Sequence, residues 1–392
     1  MRNKIFTFLL LILLIIGLSI LIKPQTKESI LEKRPLALNT DIKFNNLLDG
    51  SLLTKTDTVL KDQFFKRDFL MQKYYESKIF FNKVIAGSSN EGSFQYLSDN
   101  VIEIDGEYLI NNILIYNEDN MNMASSKGYN INEMDLKYPD VKTYVYMPTR
   151  LEEIYYVPSD SIENFGHEYK RNFLIQLNEN ISSEALKLNS FDDHKEYYYK
   201  TDFHWNNKGG YAGYSDIINM IGKDFNIDAP REIENEVCYP YEFRGNISSE
   251  IGKVSTYDNI CDYKLKGIGE YKRYVNGEES YLDDTKDKYA KQGNDSMFSD
   301  YDVYFGNNDY ERIYDFNQED KPNVLVFVDS YFNVIQEWFA SHFNKTILID
   351  LRGNDGSFNL EHYLNEYDVD IILVSQMYKN LYFNGNTFIP LY

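Results

Sequence analysis

The sequence predicts an α/β fold: a parallel sheet flanked by helices, with an inserted irregular β and loop region and an N-terminal transmembrane helix. Three observations predict it. From Val324 onward strand and helix patterns alternate, the strands there are nearly continuous apolar runs, and one of them, Val324–Val328, stops abruptly on Asp329-Ser330. Strands that are apolar on both faces belong to parallel sheets covered by helices on both sides. The carboxyl edge of such a sheet is where sites form, which places Ser330 on that edge.

Taken in order, the chain opens with the uncharged run Ile5–Ile22, relieved only by Thr7, Gly17 and Ser19. That is roughly the minimum length for a bilayer-spanning helix. Arg2 and Lys4 precede it, which orients the N-terminus to the cytoplasm. A cleaved signal peptide is the rival reading, but the chain continues Lys23-Pro24-Gln25-Thr26 with no Ala-x-Ala site. The expected organisation is therefore a membrane anchor over residues 1–22, a polar tether over 23–40 and an extracytoplasmic domain over 41–392, with the insertion at 225–318.

Phe64 to Val84 reads as a helix packed on the body, and Val101 to Ile115 as a hairpin turning at Asp105-Gly106. Val141–Met147 is a strand halted by Pro148. Glu196–Lys200 is expected to be extended and to lead into Asp202 and His204. Asn206-Asn207 caps a helix from Lys208 to about Ile221, with Gly209, Gly210 and Ala212 permitting close approach. Between about 225 and 318, turn formers and acids crowd together. Regularity returns with strand Val324–Val328, helix Tyr331–Phe343, strand Thr346–Asp350, helix Phe358–Glu366 and strand Val369–Val374.

The chain of 392 residues carries 61 acidic against 40 basic side chains, a net charge of −21. A nucleic-acid partner is excluded on that balance, since phosphates require Lys and Arg to neutralise them. A neutral polysaccharide fits better than a polyanion. Only Cys238 and Cys261 are present; they form a bridge outside the cell or serve as two small hydrophobes. His167, His194, His342 and His362 show no metal-ligand spacing, so no metal and no cofactor is expected.

The chemistry rests on Ser330, His204 and Asp202. A serine hydroxyl is a weak nucleophile until a base takes its proton, and the base works best when a third group fixes its tautomer. In an extended segment residues i and i+2 face the same side, so Asp202 can orient the His204 ring. Each residue also has a plain structural reading: Ser330 as a helix cap, His204 as a packed histidine, Asp202 as a turn residue. Trp205 reads as packing more than ligand stacking, and Arg352 as an ion-pair partner as readily as an oxyanion donor.

The chain resembles the SGNH-hydrolase-like polysaccharide O-acetyltransferases, in particular the DHHW family and its alginate-acetylation relatives. The Asp-x-His-Trp motif of that family is matched by Asp202, His204 and Trp205, and its strand-borne Asp-Ser by Asp329-Ser330. Asp-x-His precedes the serine, the reverse of the order in ordinary SGNH esterases. Further matches are Tyr144 to Arg150 with Ile154, Tyr155 and Pro158, then Phe305-Gly306-Asn307-Asn308, then Ile349 to Arg352. Val328 departs from the glycine common before Asp-Ser, and no equivalent of the SGNH block glycine and asparagine stands out. The resemblance implies an acetyl-serine intermediate on Ser330, with His204 as base and Asp202 as its orienter. The Ser330 N–H would be the oxyanion donor, Arg352 and Gly353-Asn354 weaker candidates beside it, and Trp205 a substrate contact. It implies a membrane-bound O-acyltransferase as donor partner and a polysaccharide acceptor, for which the acidic balance favours a neutral glucan such as cellulose. A carbohydrate acetyl esterase and a non-catalytic polysaccharide-binding subunit of a synthase complex are the alternatives.

Overall fold

A computed structural model describes residues 7, 25–29, 31, 34–43, 45–64, 66–85, 94–98, 101–111, 116–150, 153, 165–280, 301–306, 309–353 and 358–377. The expected anchor (apart from Thr7), and Asn112 to Ile115, Ile154, Tyr155, Pro158, Asn307, Asn308 and Asn354, lie outside the described residues. No helix among the described residues is long and apolar enough to cross a membrane.

Four sheets are present among these residues. β1 (Glu28–Ser29) and β2 (Arg34–Pro35) pair as a short ladder. β3 (Phe94–Tyr96), β4 (Val101–Ile104) and β5 (Tyr108–Asn111) form an antiparallel three-stranded sheet. The central sheet combines β6 (Lys142–Met147), β7 (Ser182–Ala185), β10 (Lys272–Val275), β11 (Glu278–Glu279), β12 (Glu311–Asp315), β13 (Val324–Val328), β14 (Lys345–Ile349) and β15 (Ile371–Ser375). β8 (Ile233–Phe243) and β9 (Asp258–Leu265) form a long bulged hairpin.

The order across the central sheet is β11-β10-β12-β14-β13-β15-β6-β7. From β14 to β7 the pairings are parallel, as the apolar runs predict. β12 then adds antiparallel to β14, and β10 antiparallel to β12, so the sheet is mixed. Residues 225–318, read as an inserted irregular β and loop region, supply three strands of this sheet. β13 is buried along its whole length because its two faces feed different cores. Val324, Val326 and Val328 pack with Tyr144 and Tyr146 on one side. Leu325 and Phe327 pack with Val145 and Val374 on the other, the period-two alternation of a strand.

Several element boundaries shift from expectation. Glu196 and Tyr197 end a helix, Phe191–Tyr197, capped by Ser190, and Tyr198 after it is extended and bridges to Trp205. The expected helix Tyr331–Phe343 is broken into a 3-10 turn, Ser330–Val334, and a short helix, Gln336–Ala340. In the three-residue connection between β4 and β5, Asp105 and Gly106 are left-handed, with φ of 54° and 75°, and Glu107 N–H closes the turn on Ile104 O. Helix Asn207–Ile221 is capped by Asn206, whose side chain accepts from the N–H groups of Lys208 and Gly209. A Cβ on Gly213 would meet the Trp205 ring at 2.7 Å, so the glycine lets the indole lie flat on the helix.

The described part of 23–40 is strapped to the body rather than free. Thr26 exchanges two hydrogen bonds with the Gln63 side chain, and Arg34 forks onto Asp62 at 2.6 Å. Cys238 and Cys261 face each other across β8 and β9 and are joined as a disulfide.

Candidate active site

Two segments meet at the carboxyl edge of the sheet. The first is Thr201–Trp205, which is a series of bends rather than the extended run expected. Asp202 and His204 nevertheless face one another, because Asp202 Oδ1 accepts from both the His204 backbone N–H (3.0 Å) and the ring Nδ1 (2.6 Å). An aspartate bonding the N–H two residues on is a local turn in its own right, so the bend performs what a strand would have.

The second segment begins where β13 ends. Asp329 caps the 3-10 turn by accepting from Tyr331 N–H at 3.0 Å, and its other oxygen accepts from Met377 N–H at 2.8 Å. Ser330 is thereby held at the mouth of the turn, with its Oγ 2.7 Å from His204 Nε2. Asp202, His204 and Ser330 are 2%, 2% and 6% exposed, so the hydroxyl is the member nearest solvent.

Tyr331 sets the register between the halves. Its hydroxyl donates to Phe203 O at 2.5 Å, and its carbonyl accepts from Trp205 Nε1 at 2.9 Å. The residue after the serine is thus bonded to both neighbours of the histidine. The His204 ring is stacked on Tyr301, centroids 4.0 Å apart and planes within 8°, with Phe203 against it at 4.3 Å.

Residues from the β8–β9 region carry Asp202. Its Oδ2 accepts from Asn246 N–H at 2.7 Å. A Cβ on Gly245 would fall 2.3 Å from that same oxygen, so only glycine fits there. Asp258 accepts from the N–H groups of Lys200 and Thr201 and from the Thr201 hydroxyl at 2.6 Å. Burial pushes the Asp202 carboxyl up, but the His204 ring and the N–H donors of Asn246 and His204 outweigh it and hold the group below the usual aspartate value. Burial dominates at Asp258, pushed up to about 6 with the nearby Asp202 charge adding to the effect. The arrangement can therefore keep an ionised carboxylate on the far nitrogen of an imidazole whose near nitrogen touches a hydroxyl.

Of the residues singled out in the sequence, Asp202, His204 and Ser330 come together. Trp205 is 1% exposed and braces Tyr331 from within the core, which is the packing reading. Arg352 follows β14 on the same edge, but its guanidinium is engaged by Asp350 through bonds of 2.9 and 2.6 Å, which is the ion-pair reading. Tyr331, Tyr301, Gly245, Asn246 and Asp258 went unnoticed in the sequence. Tyr331, next to the serine, carried a positional signal; the rest lie too far along the chain for any local pattern to mark them.

His194 and His342 are structural. His194 stacks on Tyr198 with centroids 4.7 Å apart, and burial lowers it to about 3. His342 meets the Tyr214 hydroxyl at 2.7 Å, and burial lowers it to about 4. Among the described residues, Glu236 with Cys238 and Cys261 has metal-ligand spacing, but both sulfurs are consumed in the disulfide.

No protein-family model matches the chain, and no curated protein matches it either. Solved structures match in fold. The structure of Bacillus cereus PatB1 with a sulfonyl adduct is 21% identical, with a TM-score of 0.62 over 74% of this chain and 98% of that one. A DHHW family protein from Eubacterium siraeum is 17% identical, with a TM-score of 0.53 over 73% and 92%. The resemblance that Asp202, His204, Trp205 and Asp329-Ser330 carry in the sequence is thus present in the architecture. The chain has the fold seen in a DHHW family protein and in PatB1.

Proposed function

We propose that this protein is a serine O-acetyltransferase that moves an acetyl group through Ser330 to a hydroxyl of an extracellular polysaccharide. The observation that supports the reading is the unbroken chain from Asp202 Oδ1 through both ring nitrogens of His204 to Ser330 Oγ, at 2.6 and 2.7 Å. In the first half-reaction His204 Nε2 takes the hydroxyl proton as Ser330 Oγ bonds to the acetyl carbonyl carbon. The donor's leaving group departs with that proton, leaving acetyl-Ser330. In the second, Nε2 takes a proton from the sugar hydroxyl, whose oxygen bonds to the acetyl carbon, and returns it to Ser330 Oγ as the ester breaks. Asp202 holds the ring tautomer and balances the imidazolium in both. The first N–H groups of a helical turn have no partner within it, so the Ser330 N–H is free to meet the oxyanion.

An N-terminal anchor through Ile5–Ile22 would hold this domain beside a membrane-bound O-acyltransferase that supplies the acetyl group, with a neutral glucan such as cellulose as acceptor. The Cys238–Cys261 bridge supports a place outside the cytoplasm, where disulfides persist. The decisive experiment exposes the protein to a soluble acetyl ester, then digests it. One acetyl group on the Ser330 peptide, absent in Ser330→Ala and released by added oligosaccharide as acetyl-sugar, is expected. No acetyl on that peptide would sink the mechanism, and release only as free acetate would make it an esterase.

A further inference from the structure

We propose that helix Arg67–Ile85 lies on the surface of an anionic bilayer, a role that goes beyond the acetyl-transfer reading and is independent of it. Among the described residues the helix is packed on one side only. Tyr75 meets Gly252, where an added Cβ would come within 2.5 Å of its ring, and Ile79 packs on the small core under β4 and β5. The opposite side is apolar and open. Leu70, Tyr74, Phe81 and Val84 recur at helical spacing along one face, flanked by Phe69 and Phe80, and each of the six is 47–62% exposed. Soluble surfaces seldom leave such a stripe uncovered. Lys66 and Lys73 sit over the Phe69 ring at 6.0 and 5.8 Å, so cations rim the apolar face.

Two further observations identify what covers it. Residues 23–85 carry twelve Lys and Arg against eight Asp and Glu, a local charge of +4 in a chain of net −21. A positively charged amphipathic helix is drawn to anionic headgroups, and a second copy of the same face would be repelled. The strap then fixes the direction. Gln25 accepts from Asn39 N–H at 2.9 Å, and Thr26 is bonded to Gln63, just before the helix begins. The apolar run ends at Ile22, three residues upstream, a span of about 10 Å at full extension. A bilayer that holds the run therefore reaches the base of this helix.

The test places the full-length chain in phosphatidylcholine bilayers with and without phosphatidylglycerol, using lipids brominated near the headgroup. The indole of Phe81→Trp is expected to be quenched and that of Ile175→Trp, exposed elsewhere, to be unaffected; the native Trp205 and Trp338 are buried and give the background. Combined Lys66→Glu, Lys73→Glu and Lys78→Glu should reduce the quenching only where phosphatidylglycerol is present. Thermal unfolding of each variant confirms that it is folded. An unquenched indole at position 81, or a signal that depends on protein concentration through self-association, overturns the proposal.

Discussion

His204 Nε2 stands 2.7 Å from Ser330 Oγ although 126 residues separate the two. The distance is kept by backbone as much as by side chains, because Tyr331 is bonded to the residues on either side of the histidine. A base and a hydroxyl so placed need no rearrangement before proton transfer, which is the condition for an activated nucleophile.

Replacing Asp202 with asparagine should leave the fold intact and slow the chemistry. The amide cannot balance an imidazolium or hold the same tautomer, and loss of that partner costs about 10⁴-fold in a Ser-His-Asp triad. The rate at which Ser330 is labelled by a sulfonyl fluoride measures it. Labelling at the native rate would remove Asp202 from the site.

Gly245→Ala tests the support behind that acid. Its Cβ would press on Asp202 at 2.3–2.4 Å, so the carboxylate must move. Serine labelling is expected to fall by about 10²-fold or more, since small misplacements carry such costs. Ordinary labelling with an unchanged melting temperature would show that the backbone gives way instead.

The two buried aspartates pull the pH dependence of stability in opposite directions. Asp202 is lowered in the folded protein, so its contribution is present above its unfolded value of 3.8 and is lost as pH falls through the folded value. Asp258 is raised to about 6 from 3.8, so its contribution is complete below 3.8 and is lost as pH rises through about 6. Compared with Asp258→Asn, whose neutral amide does not titrate, the wild type should lose melting temperature as pH rises from about 4 to about 6 and keep a constant offset above that. A difference constant over the whole range would place Asp258 at an ordinary value.

Reducing the Cys238–Cys261 bridge, or replacing both cysteines by serine, should destabilise the domain by about 3 kcal/mol for a loop of this length. The hairpin it closes carries Asp258 at the start of β9, and Gly245 and Asn246 follow β8 directly, so serine labelling should slow as well. Calorimetry with and without reductant checks the first effect; an unchanged transition would count against it.

The parallel strands β6, β13, β14 and β15 and the set Asp202, His204 and Ser330 were legible in the sequence. Runs such as Val324–Val328 announce a fully buried strand by composition, and Asp-x-His and Asp-Ser are short enough to be read locally. The helix Asn207–Ile221 was legible for the same reason, since its cap at Asn206 is a nearest-neighbour interaction. The mixed character of the sheet, the bend at Thr201–Trp205 and the break after Ser330 were not. Nor was the set of groups that carries Asp202, since Gly245 and Asn246 lie more than forty residues from it in sequence and meet it only in the folded chain. Hydrophobic pattern and capping are decided between neighbours a few residues apart, whereas a hydrogen bond across 126 residues exists only after the elements have packed. The sequence alone determined which groups were available for the chemistry; packing of the β8–β9 region and the turn after β13 decided which of them touch.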